Sequence, residues 1–138
     1  MKRYAVIDTN VLVSAMLKWQ SVPGNILGFA FSGTIIPVLN EEIVAEYREV
    51  LMRDKFHFTQ EIVDDVIHAL EDQGEYIDIA NMEYELPDPK DVVFYAIAME
   101  KRKDEDAYLI TGNIKHFPQE SFVVTPREMM SIIIDDKE

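Results

Sequence analysis

The sequence predicts an α/β fold built on a parallel sheet. Short runs rich in β-branched and aromatic residues alternate with longer stretches of helical periodicity, the pattern of βαβ units. No internal repeat, low-complexity tract or linker breaks that alternation. The longest irregular stretch is Asn81 to Pro87, which is polar and ends in proline.

Each element has a local reason. Tyr4 to Ile7 is a short apolar strand, and Asn10 caps a helix reaching about Lys18. Pro23 suits the first turn of a second helix, which Gly33 ends. Thr34 to Leu39 is a buried strand. Asn40 caps the third helix, with Glu41 and Glu42 favourably placed in its first turn. Its apolar stripe is Ile43, Val44, Tyr47, Val50 and Leu51. Thr59 caps a fourth helix that turns Ile62, Val63, Val66, Ile67 and Leu70 inward and stops at Gly74. Tyr76 to Ala80 is a third strand. Asp88-Pro89 opens a helix through about Lys103, whose basic end complements the helix dipole. Tyr108 to Thr111 and Phe122 to Val124 are the last two strands. Thr125-Pro126-Arg127-Glu128 is a capping box with proline at the first helical position, opening a helix that ends near Ile134. One domain over residues 1–134 is expected, followed by a short acidic tail over 135–138.

The chain has 138 residues and no cysteine, which excludes disulfide scaffolds, thiolate metal sites and cysteine nucleophiles. No apolar run approaches the roughly 20 residues of a membrane span. The apolar part of the N-terminus is too short for a signal peptide, so a soluble cytoplasmic protein is expected, without membrane contact. The net charge of −13 argues against holding nucleic acid by bulk electrostatics. That charge is concentrated. Between Thr59 and Asp91 lie eleven acids and one base, Lys90, so a locally positive face remains open elsewhere.

Sites in open α/β sheets lie at the carboxyl ends of the strands. Two strands here end in polar triplets, Asp8-Thr9-Asn10 and Thr111-Gly112-Asn113. Asp8 emerges from a buried strand end, where an unpaired charge is expensive. A plain helix cap is the alternative for Asp8, and for Asp88 and Asp91 at the start of their helix. Glu46 lies about 40° beyond Val50, so it is the acid of its helix closest to the sheet. A solvated edge position in an ion pair is its alternative. The histidines His57, His68 and His116 show no ligand spacing, and no phosphate-binding glycine loop is present. The chain therefore offers oxygen donors. Several carboxylates in one cleft require a cation, and hard oxygen ligands suit Mg²⁺ or Mn²⁺.

The order of these features resembles the PIN domain. The match runs through Ile7-Asp8-Thr9-Asn10, Glu46 within Glu42 to Leu51, Asp88-Pro89-Lys90-Asp91, and Leu109-Ile110-Thr111-Gly112-Asn113 followed by His116-Phe117-Pro118. It covers nearly the whole chain and is most similar to the toxin branch of toxin–antitoxin pairs. The resemblance implies a three-layer α/β/α sandwich with a five-stranded parallel sheet in the order 3-2-1-4-5. It also implies a Mg²⁺- or Mn²⁺-dependent ribonuclease. Asp8, Glu46 and Asp91 fall on the family's first three acid positions, with Asp88 an additional acid able to replace or assist Asp91. The fourth position, an aspartate in many members, is Asn113, which leaves a second metal in question. Thr9, Asn10, Thr111 and Asn113 would surround the ligands, with the Thr9 and Thr111 hydroxyls bonded to carboxylates. The implied partners are an RNA substrate and a basic antitoxin protein, with a homodimer left open. A phosphatase of the aspartyl-phosphate type would need Asp-x-Asp after the first strand, and a receiver domain an acid pair there, an aspartate ending the third strand and a lysine ending the last strand; none is present. The rival is a catalytically weakened module of the same fold that binds a basic protein through its acidic surface.

Overall fold

The computed structural model describes residues 2–135. Five parallel strands form one sheet in the order β3-β2-β1-β4-β5. They are β1 (Arg3–Ile7), β2 (Ile35–Leu39), β3 (Glu75–Tyr76), β4 (Tyr108–Ile110) and β5 (Val123–Val124). Six α-helices flank the sheet in the α/β/α arrangement: α1 (Thr9–Leu17), α2 (Val22–Ser32), α3 (Glu41–Leu51), α4 (Gln60–Gln73), α5 (Val92–Lys101) and α6 (Pro126–Asp135). Strand order reverses between β1 and β4, because the chain winds one way from β1 to β3 and the other from β4 to β5. The register pairs Ile7 with Ile110 at that reversal. Asp8 and Thr111 therefore leave the sheet side by side, at the switch point where open α/β sheets form their crevice.

The helix starts follow local chemistry. Asn40 Oδ1 accepts the Ile43 amide at 2.8 Å and Thr59 Oγ1 accepts the Ile62 amide at 3.2 Å. Thr125 and Glu128 form the reciprocal box, with bonds of 2.8 and 3.1 Å. Ser21, which the sequence reading passed over, caps α2 by accepting from the Gly24 amide at 3.1 Å. Gly33 ends that helix at φ 85°, a conformation glycine adopts without strain.

Five expectations need correction. The first helix begins at Thr9, two residues earlier than a cap at Asn10 requires, so Asp8 takes the cap position. Ile62 is exposed rather than inward, since it sits about 100° round from Val63, at the centre of the buried stripe Val63, Ile67 and Leu70. The third strand is only Glu75–Tyr76, because its partner β2 ends at Leu39 and the last ladder bond is Ile77 N to Leu39 O at 2.9 Å. The helix from Asp88 is split: a single 3-10 turn, Pro89–Asp91, precedes α5. Finally, Asp135 belongs to α6, while the rest of the expected tail lies outside the described residues.

Helix α5 is buried from Val92 to Ala98, so it needs apolar cover on more than one side. It lies on β1, β2 and β4, and the segment after β3 folds back over it. Tyr84 there meets Tyr95 edge to face at 5.1 Å. Burying α5 in this way fixes the turn at its amino end, and with it Asp91.

Candidate active site

Asp8 is 6% exposed at the end of β1. Its amide completes the sheet by donating to Ile110 O at 2.9 Å. Although Asp8 stands at the amino end of α1, its side chain makes no capping hydrogen bond there. The carboxylate instead turns toward the neighbouring loop. Thr111 Oγ1 donates to Asp8 Oδ2 at 2.8 Å and Asn10 Nδ2 to the same oxygen at 3.3 Å. Asn113 N donates to Thr111 Oγ1 at 3.0 Å, and Gly112 N to Asn10 Oδ1 at 3.1 Å. The two polar triplets thus lock together, each orienting the other around one carboxylate oxygen.

Glu46 reaches the same place from α3. Among the acids of that helix it is half-buried while Glu41, Glu42 and Glu49 are exposed. Thr9 Oγ1 donates to Glu46 Oε2 at 2.5 Å. The adjacent Tyr47 fixes the rotation of the helix: it is 1% exposed and its hydroxyl donates to Ile7 O at 2.5 Å, the last residue of β1.

Asp91 comes from the 3-10 turn. Its carboxylate caps nothing. Its Oδ2 is buried without a hydrogen-bond partner, and His116 Nδ1 lies 3.5 Å from it. Asp88 Oδ1 accepts the Lys90 amide at 2.9 Å, so Asp88 does serve as a cap, and it is exposed. Asn113 is also exposed; its side chain lines a hollow with Asn10, Ser14 and Pro23 on the α1 side.

The charges disturb one another. Burial pushes the Asp8 carboxyl up to about 6; the Thr111 hydrogen bond opposes this, and the Asp91 and Glu46 charges add to it. Burial also raises Asp91, with Asp88 and Glu46 pushing further and His116 pulling back. Burial raises Tyr47, and the Asp8 and Glu46 charges raise it further. These are carboxylates that lack a countercharge.

Among the described residues, no three histidine or acidic side chains are gathered tightly enough to form a ready-made metal site. The donor set nevertheless fits a hard divalent cation. It comprises carboxylate oxygens with raised affinity for positive charge, one of them buried and unbonded, plus the imidazole beside it. Asp8, Glu46 and Asp91 are the residues that would hold it, with Asp88 at the rim.

Glu46, Glu49, Arg53, Asp88, Lys90 and Asp91 line one open cleft of about 500 Å³. Neither His116 nor Lys90 is among the expected site residues, yet both lie beside Asp91 or in its cleft. His116 lacked any ligand spacing, and its one signal was its place shortly after Thr111-Gly112-Asn113. Arg48 is paired with Asp64 across α3 and α4.

Carboxylates thus gather at the switch point of a parallel α/β/α sheet, the place where open α/β folds carry their sites. A family model for the PIN domain matches residues 4–115, and the chain belongs to the PIN domain family. That is a family of nucleases, which generally use divalent metal ions. No curated protein matches the sequence. Among the described residues, no helix is long and apolar enough to cross a membrane.

Proposed function

We propose that this chain is a Mg²⁺- or Mn²⁺-dependent ribonuclease acting as the toxin of a toxin–antitoxin pair in the cytoplasm. The observation that carries the reading is electrostatic. Burial raises the proton affinity of Asp8 and Asp91, the charge of Glu46 adds to both, and Asp91 Oδ2 is buried without a hydrogen bond. A bound divalent ion would supply charge neutralisation at the phosphate and a more acidic water. The protein's own part is orientation. Thr111 and Asn10 hold Asp8 through one oxygen, Thr9 holds Glu46, and Tyr47 fixes the helix that presents Glu46. Such prepositioning removes reorganisation at the moment of reaction.

The test is a metal titration followed by both melting temperature and RNA cleavage. Mn²⁺ should raise the melting temperature of the wild type and leave Asp8→Asn unmoved, because an ion that binds only the folded state stabilises it. Mn²⁺ that stabilises neither protein, with no cleavage, would instead support the weakened binding module. The toxin role predicts growth arrest on expression of the wild type and normal growth with Asp8→Asn. A basic antitoxin would meet the exposed acids of α4, Glu61, Asp65 and Asp72; Asp64 is excluded from that face by its pairing with Arg48. Neutralising Asp65 and Asp72 should slow association with such a partner and flatten its salt dependence.

A further inference from the structure

The cleft beside Glu46 and Asp91 contains two cations that the carboxylate cluster does not require. Arg53 and Lys90 line its walls, in a chain with twice as many acids as bases. Both are exposed, and both are positioned from the backbone up. Lys90 projects from the 3-10 turn whose geometry Asp88 fixes by accepting its amide. Arg53 stands just past the end of α3, where its Nε and Nη2 donate to Glu49 Oε2 and Oε1 at 3.0 and 2.9 Å. That two-pronged pairing sets the plane of the guanidinium and leaves Nη1 outside it. The charge of Glu46 reaches Arg53, and that of Lys90 reaches Glu49, so the cations and the acids share one electrostatic environment.

The charge balance shows what the two cations can do. The cleft holds four acids, Glu46, Glu49, Asp88 and Asp91, against Arg53 and Lys90. A polyanion meets net repulsion there until a divalent cation is bound. With the cation in place the lining is neutral, and two fixed cations flank the acids. Exposed guanidinium and ammonium groups exchange a weak surface pairing for a phosphate readily. The open cleft of about 500 Å³ has room for a nucleotide or two of a flexible strand.

We infer that Arg53 and Lys90 are the phosphate-binding residues of the substrate cleft, gripping the backbone of single-stranded RNA beside Glu46 and Asp91. This rests on the nuclease reading above. The grip is independent of sequence, since contacts to phosphate position a strand without reading bases. Glu49 holds Arg53 in place in the free protein and competes with the phosphate for it.

The experiment measures cleavage kinetics of a 5′-labelled polyuridine strand with Mn²⁺ present, and binding of the same strand to the wild type and each variant over a salt series with Ca²⁺ in place of Mn²⁺, which fills the site without turnover. Arg53→Ala and Lys90→Ala should each raise KM about threefold to tenfold with kcat nearly unchanged. Each should also lower the slope of log affinity against log salt by about 0.7, the value for one single-strand phosphate contact. Glu49→Gln should act in the opposite direction and tighten binding, because it releases Arg53 and removes a rim charge. Arg53→Lys should restore part of the loss. If the wild type cleaves while both alanine variants keep its KM and salt slope, the phosphate-binding role falls and the nuclease reading stands. If the wild type neither binds nor cleaves RNA with metal present, both fall together.

Discussion

The two ends of the sheet bury charge to the same degree and treat it in opposite ways. At the amino end, Lys101 is 6% exposed. Its Nζ donates to Glu75 Oε1 at 2.5 Å, lies 3.7 Å from Asp104 and sits 4.4 Å from the ring centre of Tyr4. Burial works against its charge, but the Glu75 hydrogen bond and the two acids outweigh that and raise its proton affinity. At the carboxyl end, Asp8 is also 6% exposed. Its donors are neutral, the Thr111 hydroxyl, the Asn10 amide and the Thr9 backbone, and it faces the like charges of Asp91 and Glu46. The first arrangement is complete within the fold and ties β3 to α5. The second gathers like charges around one buried carboxylate. The two arrangements differ in whether a side-chain countercharge is already in contact, the difference that marks the second as a candidate site.

Replacing Asp8 with Asn gives the largest contrast. Cleavage should fall by at least about a hundredfold, by loss of the central charged ligand. Stability should rise by about 1–3 kcal/mol at neutral pH, since a carboxyl raised from 3.8 to about 6 favours its neutral form in the fold. Chemical unfolding without metal measures the gain, and a loss of stability would show that Asp8 is not held under like-charge strain.

At the opposite end, Lys101→Ala should destabilise by about 1–3 kcal/mol, leaving Glu75 unpaired and Tyr4 uncovered. Mn²⁺ affinity of the folded protein should not change. A matching loss of metal affinity would mean the two ends are coupled.

Between these, Tyr47→Phe strips the hydroxyl from Ile7 O. It should cost about 1–2 kcal/mol as a lost buried hydrogen bond, with reduced activity from a less firmly placed Glu46.

The pH dependence sharpens the contrast further. The folded-state value of Asp8 lies above its ordinary 3.8, so the native protein takes up this proton before the unfolded chain does. Its contribution to stability therefore grows as pH falls from above 6 toward 4. Protons and metal compete for the same oxygen atoms, so the Mn²⁺-induced rise in melting temperature should fade over that window. A Mn²⁺ shift as large at pH 4.5 as at pH 7 would remove Asp8 from the ligand set.

The smallest expected effect is that of Asn113→Asp. The side chain is exposed and lines the hollow on the α1 side, so a new charge there is screened by water. Calorimetry should show Mn²⁺ binding tightened by less than about threefold. A larger change would place this side chain at the metal.

Local rules carried most of the architecture. Alternating strand and helix patterns, the caps at Asn40 and Thr59 and the box at Thr125 act over a few residues, so they are legible in order along the chain. Where a local rule failed, a partner decided. β3 stops early because β2 ends at Leu39, and α5 is buried on several sides because the segment after β3 crosses it. Asp8 and Glu46 were legible for different reasons, one from its place after an apolar strand and the other from its helical phase.

What the sequence determined by itself is the set of elements and the oxygen chemistry at their ends, because periodicity, capping and residue type act over one or two turns. What only the tertiary structure decided is which of those groups meet. The register of β1 against β4 sets Thr111 on Asp8 across more than a hundred residues. The packing of α3 gives Glu46 to Thr9 and engages Arg48 with Asp64. The folding of the loop after β4 brings His116 to Asp91. These pairings depend on through-space distance, and distance between remote residues is fixed only when the helices have settled on the sheet.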